Sequence, residues 1–278
     1  NIISGNLGEG INLTGSGAFG NLVLGNYIGL ASDGTTARGN TLDGIHVASG
    51  AHDNTIGGTT DGARNVIASS GTKGVQLEGT GTSNNTVLGN FIGTDSTGTL
   101  ARGGTTGISV QNGATDNVVG GTAVGAGNLI ANSSGVGIEI LDNTTLRNAF
   151  LRNTIRDNGA LGIDLANNGV TANDAAPDAD VGPNGLQNFP VLSTAVITSA
   201  GLQVSGTLAG AASTTYRLEF FSNPPGTGDG SAYGEGRVYL GTATVVTNGS
   251  GSGSFNATVG PANTGDLITA TATVVSGS

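Results

Sequence analysis

Charged side chains make up only 10% of this chain, so the places where they gather are candidates for chemistry. The stretch NDAAPDAD sets Asp174, Asp178 and Asp180 in one short loop, with Asp164 upstream. A calcium ion takes six to eight oxygen ligands. These carboxylates and the loop carbonyls can supply them, and a bound ion would pin the loop. The spacing is not that of an EF-hand, and a solvated acidic loop is the alternative. A second gathering holds Asp142, Arg147, Arg152, Arg156, Asp157 and Asp164. Polysaccharide lyase chemistry would need an acidic calcium cluster beside an Arg or Lys base. Glycoside hydrolysis would need two carboxylates roughly 5–10 Å apart. The sequence puts these carboxylates on different corners, so they read as a polar cap and the chain reads as a non-enzyme. No cofactor is required, and calcium is the candidate ion.

The elements that must position these groups follow from composition and spacing. The chain has 278 residues, with 52 Gly and no Cys. Without Cys it has neither disulfides nor thiolate–metal chemistry. Gly follows no three-residue period, which excludes collagen. Small and β-branched residues with little charge fit short strands and tight turns. The net charge is −10 and Lys73 is the single lysine, a poor match to nucleic acid or to an anionic membrane surface. No apolar run approaches the roughly 18 residues of a membrane-spanning helix. No leader peptide is visible and the first residue is not Met, which reads as a processed or excised segment.

The stretches NLVLGNYIG at Asn21 and NTVLGNFIG at Asn85 expose an internal repeat. A first row of Asn-x-apolar recurs at Asn21, Asn54, Asn85, Asn117 and Asn148. A second row follows at Asn26, Asn65, Asn90, Asn128 and Asn153, and Asn1 fits it. A third row, Gly-(Ile/Val)-x-(Val/Leu/Ile), starts at Gly10, Gly44, Gly74, Gly107, Gly137 and Gly162. Each unit of roughly 32 residues therefore holds three short, Gly-bounded strands. Repeated in register, they predict a parallel β-solenoid of about five to six coils over residues 1–165. The Asn residues are expected to stack as amide ladders at the coil corners.

GNFIGTDSTGT at Gly89 and NTIGGT at Asn54 resemble the right-handed parallel β-helix repeat of bacterial extracellular proteins. GPNGLQNFPVL at Gly182 resembles the segment that joins such a helix to an immunoglobulin-like module. The resemblance implies an all-β protein at the cell surface or outside the cell. It implies a structural or adhesive role, with a carbohydrate-binding or polysaccharide-degrading β-helix as the alternative.

Residues 166–190 read as an acidic linker loop. Residues 191–278 show period-2 strands (LQVSGTL, TTYRLEFFSN, DLITATATVV) and predict a small antiparallel β-sandwich. Strand alternation also sorts the outer faces of the coils. The third row turns out Asn12, His46, Gln76, Ser109, Glu139 and Asp164, expected as a solvated polar face. The second row turns out Ile2, Tyr27, Val66, Phe91 and Leu129, an apolar stripe. Such a stripe is covered either by the chain's own loops and sandwich or by another subunit. The chain enters in mid-coil, and relatives continue with a further strand after a segment like ITATAT. Both ends therefore look unfinished, and self-association, head to tail or lateral, is the expected partnership. A polysaccharide is the second partner class; nucleic acid and membrane insertion are not expected.

Overall fold

The computed structural model describes residues 1–231 and 233–275. Three parallel sheets run along the first part of the chain. The first-row sheet has five strands, from Leu22–Val23 to Ala149–Leu151. The second-row sheet has six, from Ile2–Ile3 to Thr154–Arg156, and the third-row sheet has six, from Ile11–Thr14 to Ile163–Leu165. Equivalent residues pile directly over one another: Leu22 pairs with Thr55, Thr55 with Thr86, Thr86 with Val118 and Val118 with Ala149. This is a parallel β-helix with three strands per coil.

Its core follows from the alternation. Val23, Ile56, Val87 and Val119 point inward from the first row, and Ile28, Ile67, Ile92 and Ile130 from the second. Ile45, Val75, Ile108 and Ile138 point inward from the third, and all twelve are buried. Burying each such side chain contributes about 1.5–3 kcal/mol before the entropy of ordering is charged against it. The third-row glycines mark where the backbone closes on itself. A Cβ on Gly74 would lie 2.6 Å from the carbonyl oxygen of Gly107 and 2.5 Å from Ile92 Cγ2 in the core. No other residue fits that corner.

The second unit is an antiparallel sandwich. Strands Val191–Thr198, Gly201–Ala209 and Ser252–Val259 form one sheet, and Val238–Val246, Thr215–Asn223 and Leu267–Val274 form the other. Leu202, Val204, Tyr216, Leu218, Phe220 and Phe255 fill the space between them. The buried Tyr216 hydroxyl accepts the N–H of Ala211 at 2.7 Å, which satisfies its polar end. Between Leu165 and Val191 the chain is irregular except for a short 3₁₀ segment, Pro183–Leu186. Among the described residues no helix is long and apolar enough to cross a membrane.

The sandwich sits against the last coil. Ile155 and Gly236 exchange both backbone hydrogen bonds, at 3.0 and 3.1 Å, in an antiparallel bridge.

Candidate functional site

The two Asn rows form continuous amide ladders. Along the first, Nδ2 of Asn21, Asn54, Asn85 and Asn117 donates to Oδ1 of the next Asn at 2.8–3.0 Å, ending on Asn148. Along the second, Asn1, Asn26, Asn65, Asn90 and Asn128 do the same, ending on Asn153. In each pair from Asn21 or Asn26 onward the same Oδ1 also takes the backbone N–H of the preceding Asn, as from Asn54 to Asn85 at 3.1 Å. The second Nδ2 hydrogen goes to a backbone carbonyl, as from Asn85 to Ala51 at 3.0 Å. Asn54, Asn65, Asn85, Asn90, Asn117 and Asn128 are nearly inaccessible to solvent, yet all their polar atoms are matched.

A third ladder was not legible as a row. Asn6 gives its N–H and Nδ2 to Asn40 Oδ1, and at the other end of the same corner Ser133 gives its N–H to Asn158 Oδ1 at 3.0 Å. Ser and Gly replace Asn in the coils between, which erased the repeat.

The second-row stripe is covered by the chain's own loops. Val66 is 3% exposed and packs with Leu30 and Ala68, with Tyr27 and Phe91 against them. The loops after Leu30 and Thr94 fold back, closed by the bridges Leu30–Ala37 and Thr94–Ala101. Their tips lie on the aromatics: a Cβ on Gly34 would meet Tyr27 at 3.1 Å, and one on Gly98 would meet Phe91 at 3.1 Å and Leu129 at 3.2 Å. The Arg64 guanidinium lies 4.1 Å from the Phe91 ring centre. Ile2 alone of the stripe is open, at 51% exposure. The loop segments DGTT (Asp33–Thr36) and DSTGT (Asp95–Thr99) thus serve this cover. Asp95 accepts the N–H of Thr99 and of Leu100 at 3.1 Å and the Thr97 hydroxyl at 2.8 Å. Burial works against the ionised carboxylate of Asp95, but these bonds outweigh it and lower its pKa.

The third-row outer face corrects an expectation. It is not solvated over most of its length: Gln76, Ser109, Glu139 and Asp164 are 7%, 0%, 4% and 4% exposed. Long neighbours and the Asn167–Gly169 turn close over it. Gln111 donates to Glu78 at 2.7 Å, and Asn167 donates to Glu139 at 3.0 Å. The His46 ring lies between Glu9 at 3.9 Å and Glu78 at 3.7 Å, beyond hydrogen-bond reach of both. Its two nitrogens and the Ser109 hydroxyl are buried without a partner.

The last-coil charges are spent on structure. Arg147 and Asp116 form a two-bond pair at 2.7 Å. Arg156 reaches Asp157 at 2.5 Å, and Arg237 of the sandwich joins the same carboxylate. Burial disfavours the Asp157 anion, but the two guanidinium groups outweigh it and hold its pKa low. Arg152 lies 4.5 Å over the Tyr239 ring, and its N–H donates to Glu219 at 2.6 Å. Asp142 accepts the Asn112 N–H at 2.9 Å. Between the last coil and the sandwich remains a cleft of about 450 Å³, lined by Phe150, Ile163, Leu165, Leu192, Phe221 and Thr271 among others.

In the linker, Asp174, Asp178 and Asp180 bring one carboxylate oxygen each within 4.8 Å of one another. Asp164 is not among them. It sits on the third-row face and accepts the N–H groups of Asn168 and Gly169 at 3.2 and 3.0 Å, closing the turn that follows the last strand. Asp178 accepts Gln187 at 3.1 Å through Oδ2, while its Oδ1 has no partner. Burial raises the Asp178 pKa to about 6; the Asn188 N–H opposes this, and the charges of Asp174 and Asp180 add to it. Three converging carboxylates, one of them with a free oxygen, are a donor set of the kind calcium takes. No known family model matches the chain.

Proposed function

We propose that this chain is a structural element of the bacterial cell surface or extracellular space, an immunoglobulin-like module on a β-helical rod. The observation that carries this reading is the pair of unbroken amide ladders, which tie every coil to the next through buried, fully matched hydrogen bonds. Such a ladder resists bending and shear without any need for a ligand. Calcium at Asp174, Asp178 and Asp180 would stiffen the joint to the sandwich.

Self-association would run through the sandwich edges. Val191–Thr198 and Leu267–Val274 are terminal in their sheets and carry neither charge nor Pro. Val196 and Ile197 are 52% and 50% exposed, and Val274 is 49% exposed. The Val191–Thr198 edge, exposed from Ser193 to Thr198, is of the kind that accepts another strand. Sedimentation velocity over a concentration series, with electron microscopy of the same samples, tests this. Species that grow with concentration and are suppressed by Val196→Lys are expected; a single monomeric species throughout rules self-association out.

A further inference from the structure

The strands Ala149–Leu151, Thr154–Arg156 and Ile163–Leu165 are the terminal members of the three solenoid sheets. Every earlier coil shows what a following coil supplies: an oxygen that takes the N–H and the Nδ2 of the preceding corner Asn, and a backbone that pairs. At the last coil these are supplied from outside the repeat. Glu235 Oε1 takes the N–H of Asn158 at 3.1 Å and its Nδ2 at 2.9 Å. Asn40 Oδ1 takes the same two groups of Asn6 at the same corner, at 3.1 and 2.8 Å. The other Glu235 oxygen takes the N–H of Asp157 at 2.6 Å. Gly236 pairs with Ile155. Asn184 Oδ1 takes the N–H of Asn148 at 3.0 Å, the next rung of the first ladder. Two segments that are remote in sequence from each other, Asn184 and Glu235–Gly236, thus imitate a seventh coil.

We propose that the Glu235–Arg237 segment is a built-in stop that blocks end-on β-pairing of the last coil with a second copy of this chain. Its pairing is antiparallel, whereas a true coil pairs parallel, so it satisfies the last strand and offers no register for another. It is held by hydrogen bonds and by the Arg237–Asp157 pair more than by packing, because the cleft beside it leaves Phe150, Ile163 and Leu165 only partly covered. Such a contact opens without unfolding either unit. When it opens, an apolar coil end with unpaired strands is left, and the surface that fits it is a strand of another solenoid.

The experiment uses the full chain carrying Val196→Lys, so that association through the sandwich edge is silenced and failure of that separate proposal does not affect the result. Glu235→Ala with Gly236→Pro removes the rung and one bond of the bridge. Sedimentation velocity is expected to show larger species at about tenfold lower concentration than the parent, as loss of buried hydrogen bonds would produce. Far-UV circular dichroism checks that the β-structure persists. A second variant, Thr154→Cys with Arg237→Cys, locks the stop, since the Ile155–Gly236 pairing sets these positions opposite each other and the chain has no other Cys. Oxidised, it is expected to stay at the parental state; reduced, without Arg237, it is expected to associate more readily. A folded Glu235→Ala/Gly236→Pro protein that sediments like the parent overturns the proposal. So does a lock whose oxidised and reduced forms behave alike, which decides the matter even if the first variant does not fold.

Discussion

Asn85 gives both its backbone N–H and its side-chain Nδ2 to a single oxygen, Oδ1 of Asn117, at 3.0 Å each. Asn85 Oδ1 in turn takes the same two groups of Asn54, at 3.1 and 2.9 Å. One side chain therefore closes two coil-to-coil links, and no water reaches it. An amide suits this because Nδ2 offers two donor hydrogens while Oδ1, a separate atom, accepts two; a hydroxyl has one proton and a carboxylate none.

Asn85→Ala leaves the Asn54 N–H, one of the two Asn54 Nδ2 hydrogens and the Ala51 carbonyl without partners in a dry site. The expected loss is about 2–4 kcal/mol, the range for unsatisfied buried polar groups acting together. Asn21→Ala, at the exposed end of the same ladder, is expected to cost under about 1 kcal/mol. Urea denaturation of both variants measures the contrast, and equal costs would remove the ladder as the source of stiffness.

The three rows, the strand count and the sandwich were legible because they rest on spacing and alternation, which parallel stacking must repeat. What was lost had no repeat to carry it. Glu235 and Asn184 finish ladders from outside the period, so a search for periodic Asn passes over them. The third-row face was read as solvated because Gln76, Ser109 and Glu139 are polar. Alternation gives the direction of a side chain and not what lies over it, and the Asn167–Gly169 turn and the Gln111–Glu78 pair lie over this one. The apolar stripe left two readings for the same reason, and Gly98 and Gly34 decide it by resting loop tips on Phe91 and Tyr27.

Gly98 should therefore tolerate no side chain. It has φ +75°, and a Cβ would press on Phe91 and Leu129. Gly98→Ala is expected to destabilise by about 1–3 kcal/mol and to increase binding of a hydrophobic dye as the tip lifts. Gly62→Ala, where nothing lies within 4 Å, serves as the control and should change neither.

Gly74 tests the corner itself. Gly74→Ala would drive a methyl into the Gly107 carbonyl and Ile92, both part of the next coil. Overpacking of a rigid stack is expected to cost about 3 kcal/mol, with no strain from φ involved. Guanidinium unfolding should show a lower midpoint with an unchanged slope; a neutral result would mean that the coils can spread apart.

The linker carboxylates set a pH dependence of definite sign. Asp178 has a pKa of about 6 in the folded chain, above its ordinary value of 3.8, so the folded state holds its proton more tightly than the unfolded one. Its contribution is fully present below the unfolded pKa and is lost as pH rises through about 6. Asp178→Asn keeps a neutral group there and should gain roughly 1–2 kcal/mol relative to the parent at pH 7.5, after allowance for partial exposure, with little difference at pH 4. Calcium should reverse the order. Bound to Asp174, Asp178 and Asp180 at a hundredfold excess over its Kd, it would add about 2.7 kcal/mol at pH 7.5. It would add less at pH 5, where the ion must displace the Asp178 proton. Thermal unfolding with calcium or chelator at both pH values reads all of this. A melting temperature indifferent to calcium at pH 7.5, or an equal shift in Asp174→Asn/Asp178→Asn, would leave these carboxylates as a strained loop without an ion.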